Sequence, residues 1–110
     1  MKLAIIGSRS LCDVDISGYI SEPPDEIVSG GAVGVDTCAR EYAKKEGIRL
    51  VEFLPEYSRF GRGATIVRNK KIVEYSDSIL AIWDGVSSGT LSALRYAKRL
   101  GKPCRIIIIN

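Results

Sequence analysis

Apolar residues in this chain fall into short continuous runs separated by stretches with helical spacing. Leu3 to Ile6 is the first run and Gly7-Ser8-Arg9-Ser10 stops it, which predicts a strand followed by a loop. Asp13 to Ser21 is expected to form a short helix, ended by Pro23-Pro24. Glu26 to Ser29 reads as a second strand, cut by Gly30-Gly31. From Val35 to Glu46 the apolar positions are Val35, Cys38, Ala39, Tyr42 and Ala43, the stripe of an amphipathic helix, and Gly47 supplies its stop.

Arg49 to Leu54 is the third predicted strand, closed by Pro55, and a polar, glycine-containing loop is expected over Glu56 to Gly63. A helix follows over about Ala64 to Tyr75, then a fourth strand from Ser78 to Trp83 with its loop Asp84 to Gly89. A last helix runs to about Leu100 and ends at Gly101, and Cys104 to Ile109 reads as a final apolar strand with Ile106 to Ile109 in the core. Strands alternating with helices imply parallel pairing through right-handed crossovers. Continuous apolar runs fit strands buried on both faces. The expected fold is therefore an α/β three-layer sandwich of about five parallel strands.

Composition narrows this picture. At 110 residues, 45% of them hydrophobic, the chain matches one domain, taken as 1–110. No apolar run approaches the roughly 20 residues of a membrane-spanning helix, and mean hydropathy is near zero. The apolar run after Met1-Lys2 is too short for a signal-peptide core, so the expected compartment is the cytoplasm. Cys12, Cys38 and Cys104 lack paired spacing, which points to neither a disulfide framework nor a zinc site. The absence of histidine removes Ser-His and Cys-His nucleophile pairs, histidine bases and histidine-ligated metals. A net charge of +3 is mild for a nucleic-acid binder and suits small anionic ligands.

Ligands of open parallel sheets bind at the carboxyl ends of the strands. Those ends carry Gly7-Ser8-Arg9, Gly30-Gly31-Ala32, and Asp84 followed by Ser87-Ser88-Gly89-Thr90. Small loops of this kind let backbone N–H groups approach an anion, and two of them lead into helix N-termini. The turn Ser29-Gly30-Gly31-Ala32-Val33-Gly34-Val35-Asp36 is a broken dinucleotide fingerprint, with Ser29 in place of the first glycine. It is expected to hold a phosphate; the alternative is that its glycines only permit a tight strand-to-helix turn. Asp36 lies in the first helical turn, where capping and contact with a ribose hydroxyl or loop amide are equally good explanations.

Ile66, Asn69, Ile72 and Val73 share a predicted helical face, so Asn69 interrupts an apolar stripe and needs a partner. Arg68 at its edge suits bidentate phosphate pairing, or else solvation near Glu74 or Glu46. Arg59, Arg62, Lys70 and Lys71 extend a basic segment that a solvated surface also explains. Trp83 reads as core or pocket wall, Tyr57 and Phe60 as covers for a base or loop anchors. Asp84 is the best-placed carboxylate for hydroxyl recognition or acid–base work.

Taken in order, Gly7-Ser8-Arg9, Ile27 to Asp36, Arg68-Asn69, Trp83 to Thr90 and Gly101-Lys102-Pro103 resemble the SLOG superfamily. Within it the chain is similar to small stand-alone members related to the DNA-processing protein and the LOG phosphoribohydrolases. The resemblance implies a Rossmann-like fold and a pocket for nucleotides or nucleotide-derived signals such as AMP- or ADP-ribose-like molecules. LOG enzymes carry a PGGxGTxxE motif whose glutamate assists N-glycosidic cleavage; here Gly89-Thr90 match its GT, Asp84-Gly85 stand where PGG is absent, and Ala93 occupies the glutamate position. Losing a general acid or base costs about 10²–10⁴-fold in rate. The resemblance thus implies ligand holding more than LOG-type hydrolysis.

The expected binding set is Gly7, Ser8, Arg9, Gly30, Gly31, Ala32, Gly34, Val35, Asp36, Arg68, Asn69, Asp84, Ser88, Gly89 and Thr90, with Asp84 as the one catalytic candidate and no metal. A small nucleotide-like molecule is the expected partner, with self-association open. Two alternatives stand beside nucleotide sensing. One is a nucleotide N-glycosidic hydrolase working without the LOG glutamate. The other is single-stranded DNA binding, for which aromatic platforms are few.

Overall fold

The computed structural model describes residues 1–109. Strands β1 (Lys2–Gly7), β2 (Glu26–Ser29), β3 (Arg49–Glu52), β4 (Ser78–Trp83) and β5 (Cys104–Ile108) form one sheet. All neighbours pair parallel, in the order β3-β2-β1-β4-β5. The helices are α1 (Val35–Glu46), α2 (Tyr57–Phe60), α3 (Ala64–Tyr75) and α4 (Ser88–Arg99). This is a Rossmann-like α/β fold, as the alternating pattern predicts.

Two cores explain why the strands hold this order. On one face Leu3, Ile5, Ile27, Leu80 and Ile82 pack against Val35, Ala39 and Ala43 of α1 and against Ile16 from the β1–β2 connection. On the other, Ala4, Ile6, Val28, Ile79 and Ala81 pack against Ile72 and Val73 of α3 and Ala93, Leu94 and Ala97 of α4. Successive side chains of a strand point to opposite faces, so the runs Leu3–Ile6 and Ile79–Ile82 serve both cores. Helix α1 carries the acidic Asp36 in its first turn and Lys44 and Lys45 in its last, which complements its dipole.

The path from β3 to β4 crosses over β2 and β1 by way of α3, on the face opposite α1. Strand order therefore reverses between β1 and β4, whose ends lie side by side with Gly7 in register with Ile82. Loops leaving the two strands diverge to opposite faces and open a crevice there.

Three expectations are revised. The helix expected over Asp13 to Ser21 is a single 3₁₀ turn, Ile16–Tyr19, capped by Asp15, whose carboxylate accepts the Ser17 N–H at 3.1 Å. The Glu56 to Gly63 loop contains α2 and a 3₁₀ turn at Gly61–Gly63. In β5 only half of the apolar side chains are covered: Ile107 and Ile109 pack beneath the sheet, whereas Ile106 and Ile108 are 48% and 57% exposed. β5 is an edge strand, and α4 is seated mainly over its neighbour β4. Continuous hydrophobicity thus reports burial on both faces for β1 and β4 but not at the edge.

Candidate functional site

The crevice at the β1–β4 reversal is a cleft of about 750 Å³. Its walls come from the β1 loop (Gly7 to Ser10), from Ala32 and Asp36, from one face of α3 (Thr65, Ile66, Arg68, Asn69, Ile72) and from Asp84 and the start of α4. Three separate strand-end loops meet here, as expected from their sequence.

Close backbone packing holds the β1 end. A Cβ on Gly7 would lie 2.2 Å from the Ile82 carbonyl oxygen and 2.6 Å from Val35 Cγ2, so only glycine fits between β4 and α1. Ser8 is almost fully buried. Its N–H donates to Ile82 O at 3.2 Å, and its carbonyl accepts from Val35 N and Leu11 N, each at 3.3 Å. Its hydroxyl accepts from the Asp84 N–H at 3.0 Å, stitching β1 to the β4 loop.

The glycine turn after β2 is spent on its own architecture. Gly34 caps α1 with φ at 77°, and a Cβ there would meet the Arg9 and Ser8 carbonyl oxygens at 2.5 and 2.6 Å. The Val35 N–H is taken by Ser8 O, and the Ala32 N–H donates to Asp36 Oδ2 at 3.1 Å. Val35 is completely buried in the core. Gly30, Gly31, Gly34 and Val35 therefore stand behind the cleft wall, and Ala32 and Asp36 alone of this turn reach the lining. Of the amides expected to cradle a phosphate, those of Ala32 and Val35 are thus taken by protein acceptors. The Ser8 carbonyl on the first amide of α1 leaves that amide unavailable to an anion.

Arg68 is the residue whose role the structure changes most. Buried residues of α3 fall at Ala64, Arg68, Ile72 and Val73, so the arginine, not Asn69, interrupts the inward stripe. Ile66 turns out to the cleft rim, half exposed. The Arg68 side chain, 7% exposed, donates from Nη1 to Gly30 O at 2.7 Å and from Nε to Asn69 Oδ1 at 2.8 Å. Neither expected solvation near Glu74 or Glu46 nor a free phosphate clamp describes it. A guanidinium has five N–H donors, and the remaining ones find no acceptor among the described residues.

Asp36, 9% exposed, faces Arg68 across Gly30, without a direct ion pair between them among the described residues. Burial pushes the Asp36 carboxyl above the ordinary range, opposed by the Ala32 N–H and the Arg68 charge. Burial likewise pulls Arg68 down, with Asp36 opposing and nearby Arg9 reinforcing the drop. Ser29 Oγ, fully buried, makes no hydrogen bond of good geometry among the described residues, yet lies near enough to the Asp36 carboxylate to favour its charged form.

Asp84 has the opposite environment. Its Oδ1 accepts the N–H groups of Val86 at 2.9 Å and Ser87 at 2.8 Å. The Ser87 hydroxyl lies 2.8 to 2.9 Å from both carboxylate oxygens, and Ser10 Oγ reaches Oδ2 at 3.2 Å. These bonds, the two backbone N–H groups first, hold Asp84 ionised far below the usual carboxylate range. A carboxylate held this way has no proton to give near neutrality and is a weak base. The acid–base role expected for Asp84 is poorly matched to this setting, and shaping the β4–α4 loop explains its contacts.

That loop exposes an open helix end. Ser87 is the N-cap residue of α4, yet its hydroxyl is turned to Asp84 and Ser8 and makes no capping bond. The first intrahelical bond is Leu91 N to Ser87 O at 3.3 Å. The N–H groups of Ser88, Gly89 and Thr90 are thus left without backbone acceptors, at the cleft wall. Ser10, Thr65, Ser87 and Ser92 also line the cleft. Ser10 and Ser87 belong to the expected strand-end loops but not to the expected binding set, and Thr65 and Ser92 were missed, although they sit three and four residues from Arg68 and Ser88 on their helices.

Other predictions fall away from the cleft. Trp83 packs against the α3–α4 core and its indole N–H donates to Ser87 O at 3.0 Å. Tyr57 is exposed, and the Phe60 ring has the Arg59 and Lys71 cations 4.9 and 5.9 Å from its centroid. Lys71 pairs with Glu56 at 3.1 Å. No cluster of residues able to hold a metal occurs among the described residues, and no helix among them is long and apolar enough to cross a membrane. The fold and site define a Rossmann-like protein with a switch-point cleft. No family model, curated protein or solved structure matches the chain.

Proposed function

We propose that the cleft binds a nucleotide or nucleotide-derived ligand, AMP- or ADP-ribose-like, with its anionic group at the α4 N-terminus. The observation that carries this reading is the uncapped first turn of α4. Three amides aimed at a cleft at the strand-order reversal, with Arg9 in the same lining, form an anion-binding arrangement. The resemblance to SLOG proteins supports the same reading, because Gly89-Thr90 fall on that turn. Ala93, at the position of the LOG glutamate, is buried at the cleft wall and brings no carboxylate. Holding a ligand therefore accounts for the site better than hydrolysing one.

Differential scanning fluorimetry with millimolar AMP and ADP-ribose tests the proposal. A ligand at 100 times its Kd adds about 2.7 kcal/mol to folding stability, a shift of roughly 10–20 °C for a domain of this size. Arg9→Ala, an exposed residue with no hydrogen bond of its own among the described residues, is expected to shrink that shift without lowering the unliganded melting temperature. No shift across a broad nucleotide panel would refute the reading.

A further inference from the structure

Within that reading, we infer that Asp36 and Arg68 form a subsite for the vicinal hydroxyls of a phosphorylated pentose, and that the base contributes little to recognition. The pair is unusual because its charges do not satisfy each other. Asp36 spends Oδ2 on the Ala32 N–H, and its carboxylate, with the Ser29 hydroxyl nearby, accepts no other hydrogen bond of good geometry among the described residues while the side chain lines the cleft. Arg68 is anchored by Gly30 O and Asn69 Oδ1, with donors left over. Both side chains are more than nine-tenths buried.

An acceptor and a donor set standing unpaired side by side match a group that both donates and accepts. Hydroxyls do this, whereas a phosphate at the same place would meet the Asp36 carboxylate. Two adjacent hydroxyls would satisfy both side chains, one donating to Oδ1 and its neighbour accepting from the guanidinium. The anion then falls to the other wall, at the amides of Ser88, Gly89 and Thr90. Ser8, Ser10, Thr65, Ser87 and Ser92 also line the cleft, and aromatic side chains are absent from the lining among the described residues. Aromatic faces supply most base stacking, so contact energy is concentrated on sugar and phosphate.

Isothermal titration of the wild-type chain with AMP, GMP, CMP, UMP, ribose 5-phosphate and 2′,3′-dideoxyadenosine 5′-phosphate tests this without altering the protein. The four ribonucleotides and ribose 5-phosphate are expected to bind within about fivefold of one another, and the dideoxy compound at least about tenfold more weakly, since a site built for a hydroxyl penalises its loss. AMP binding with an equally tight dideoxy analogue overturns the diol subsite and leaves the nucleotide reading standing. A preference above about 50-fold for one base, or AMP binding without ribose 5-phosphate, overturns the base-indifference. Failure of every compound overturns both. Arg68→Lys keeps the charge but loses the fixed fork, and is expected to weaken AMP while leaving the dideoxy analogue unchanged; equal weakening of both would count against the subsite.

Discussion

Gly89→Asp separates the proposed anion site from the fold because it is expected to push stability and binding in opposite directions. Gly89 is exposed, lies in the first turn of α4 with no atoms crowding a built Cβ, and has an ordinary helical backbone. An aspartate there replaces the residue least suited to a helix after proline and meets the positive end of the dipole, a gain of about 0.3–1 kcal/mol. The nearby ionised Asp84 trims this, so the net expectation is about 0.5 kcal/mol and a melting temperature raised by about 2–4 °C. A bound phosphate would sit roughly 6 Å from the new carboxylate. At an effective dielectric of about 40, Coulomb's law gives ~1.4 kcal/mol for two unit charges and about twice that for a dianion. Affinity for AMP is therefore expected to fall about 10- to 100-fold in a protein that melts slightly higher. Calorimetric titration beside thermal melts reads both quantities. Unchanged AMP affinity in a folded, stabilised variant would place the anion elsewhere and refute the α4 assignment.

Gly34→Ala is expected to cost on the order of 3 kcal/mol, since it adds left-handed strain to a Cβ pressed on two carbonyls; urea melts within 1 kcal/mol of wild type would contradict the packing. Asp84 has a folded-state pKa below its unfolded one, so its contribution is complete above about pH 4 and drains away as pH falls through the folded value. The stability gap between wild type and Asp84→Asn should accordingly be widest near neutrality and narrow below about pH 4, and a gap that stays constant in urea melts down to pH 2 would show that the bonds to Val86 and Ser87 are not what the aspartate contributes. Ile106→Ser should change stability by less than about 1 kcal/mol, against about 3–4 for Ile82→Ala in the core; comparable losses in the two melts would mean that the β5 face is covered in solution.

The elements were legible because hydrophobic period and punctuation agree. The α1 stripe from Val35, the α3 span and the β4 run all appear where spacing, glycine and charge place them. What spacing cannot carry is position in the sheet: Ile106 and Ile108 read like Ile5 and Ile6, and only the strand order makes one pair edge and the other centre. The same limit applies to the site. The sequence shows three glycine- and serine-rich strand ends, but not which amides are already occupied. The Ser8 carbonyl closes the α1 end through a contact across 27 residues, and the Ser87 hydroxyl abandons its own cap for Ser8, 79 residues away. Arg68 was misread for a related reason, because a buried arginine on an apolar stripe is rare enough that the neighbouring asparagine looked like the interruption.

The two helix ends at the reversal therefore have opposite assignments, and the physics says why. A protein of this size has one switch point, and both flanking helices begin beside it with polar amides that must be satisfied or left for a ligand. Satisfying both ends would leave a cleft with no binding energy to offer, while opening both would leave two unpaired termini when no ligand is bound. Here the longer glycine turn is tied down through Ser8, Asp36 and Arg68, which fixes the wall. The shorter Asp84 loop is rigidified by its own carboxylate, which draws the Ser87 hydroxyl away from capping. Rigidity on the α1 side and vacancy on the α4 side are thus consequences of the same serine–aspartate network. A ligand seated at Ser88 to Thr90 would meet amides that need no rearrangement, so the ordering cost of binding is largely met during folding.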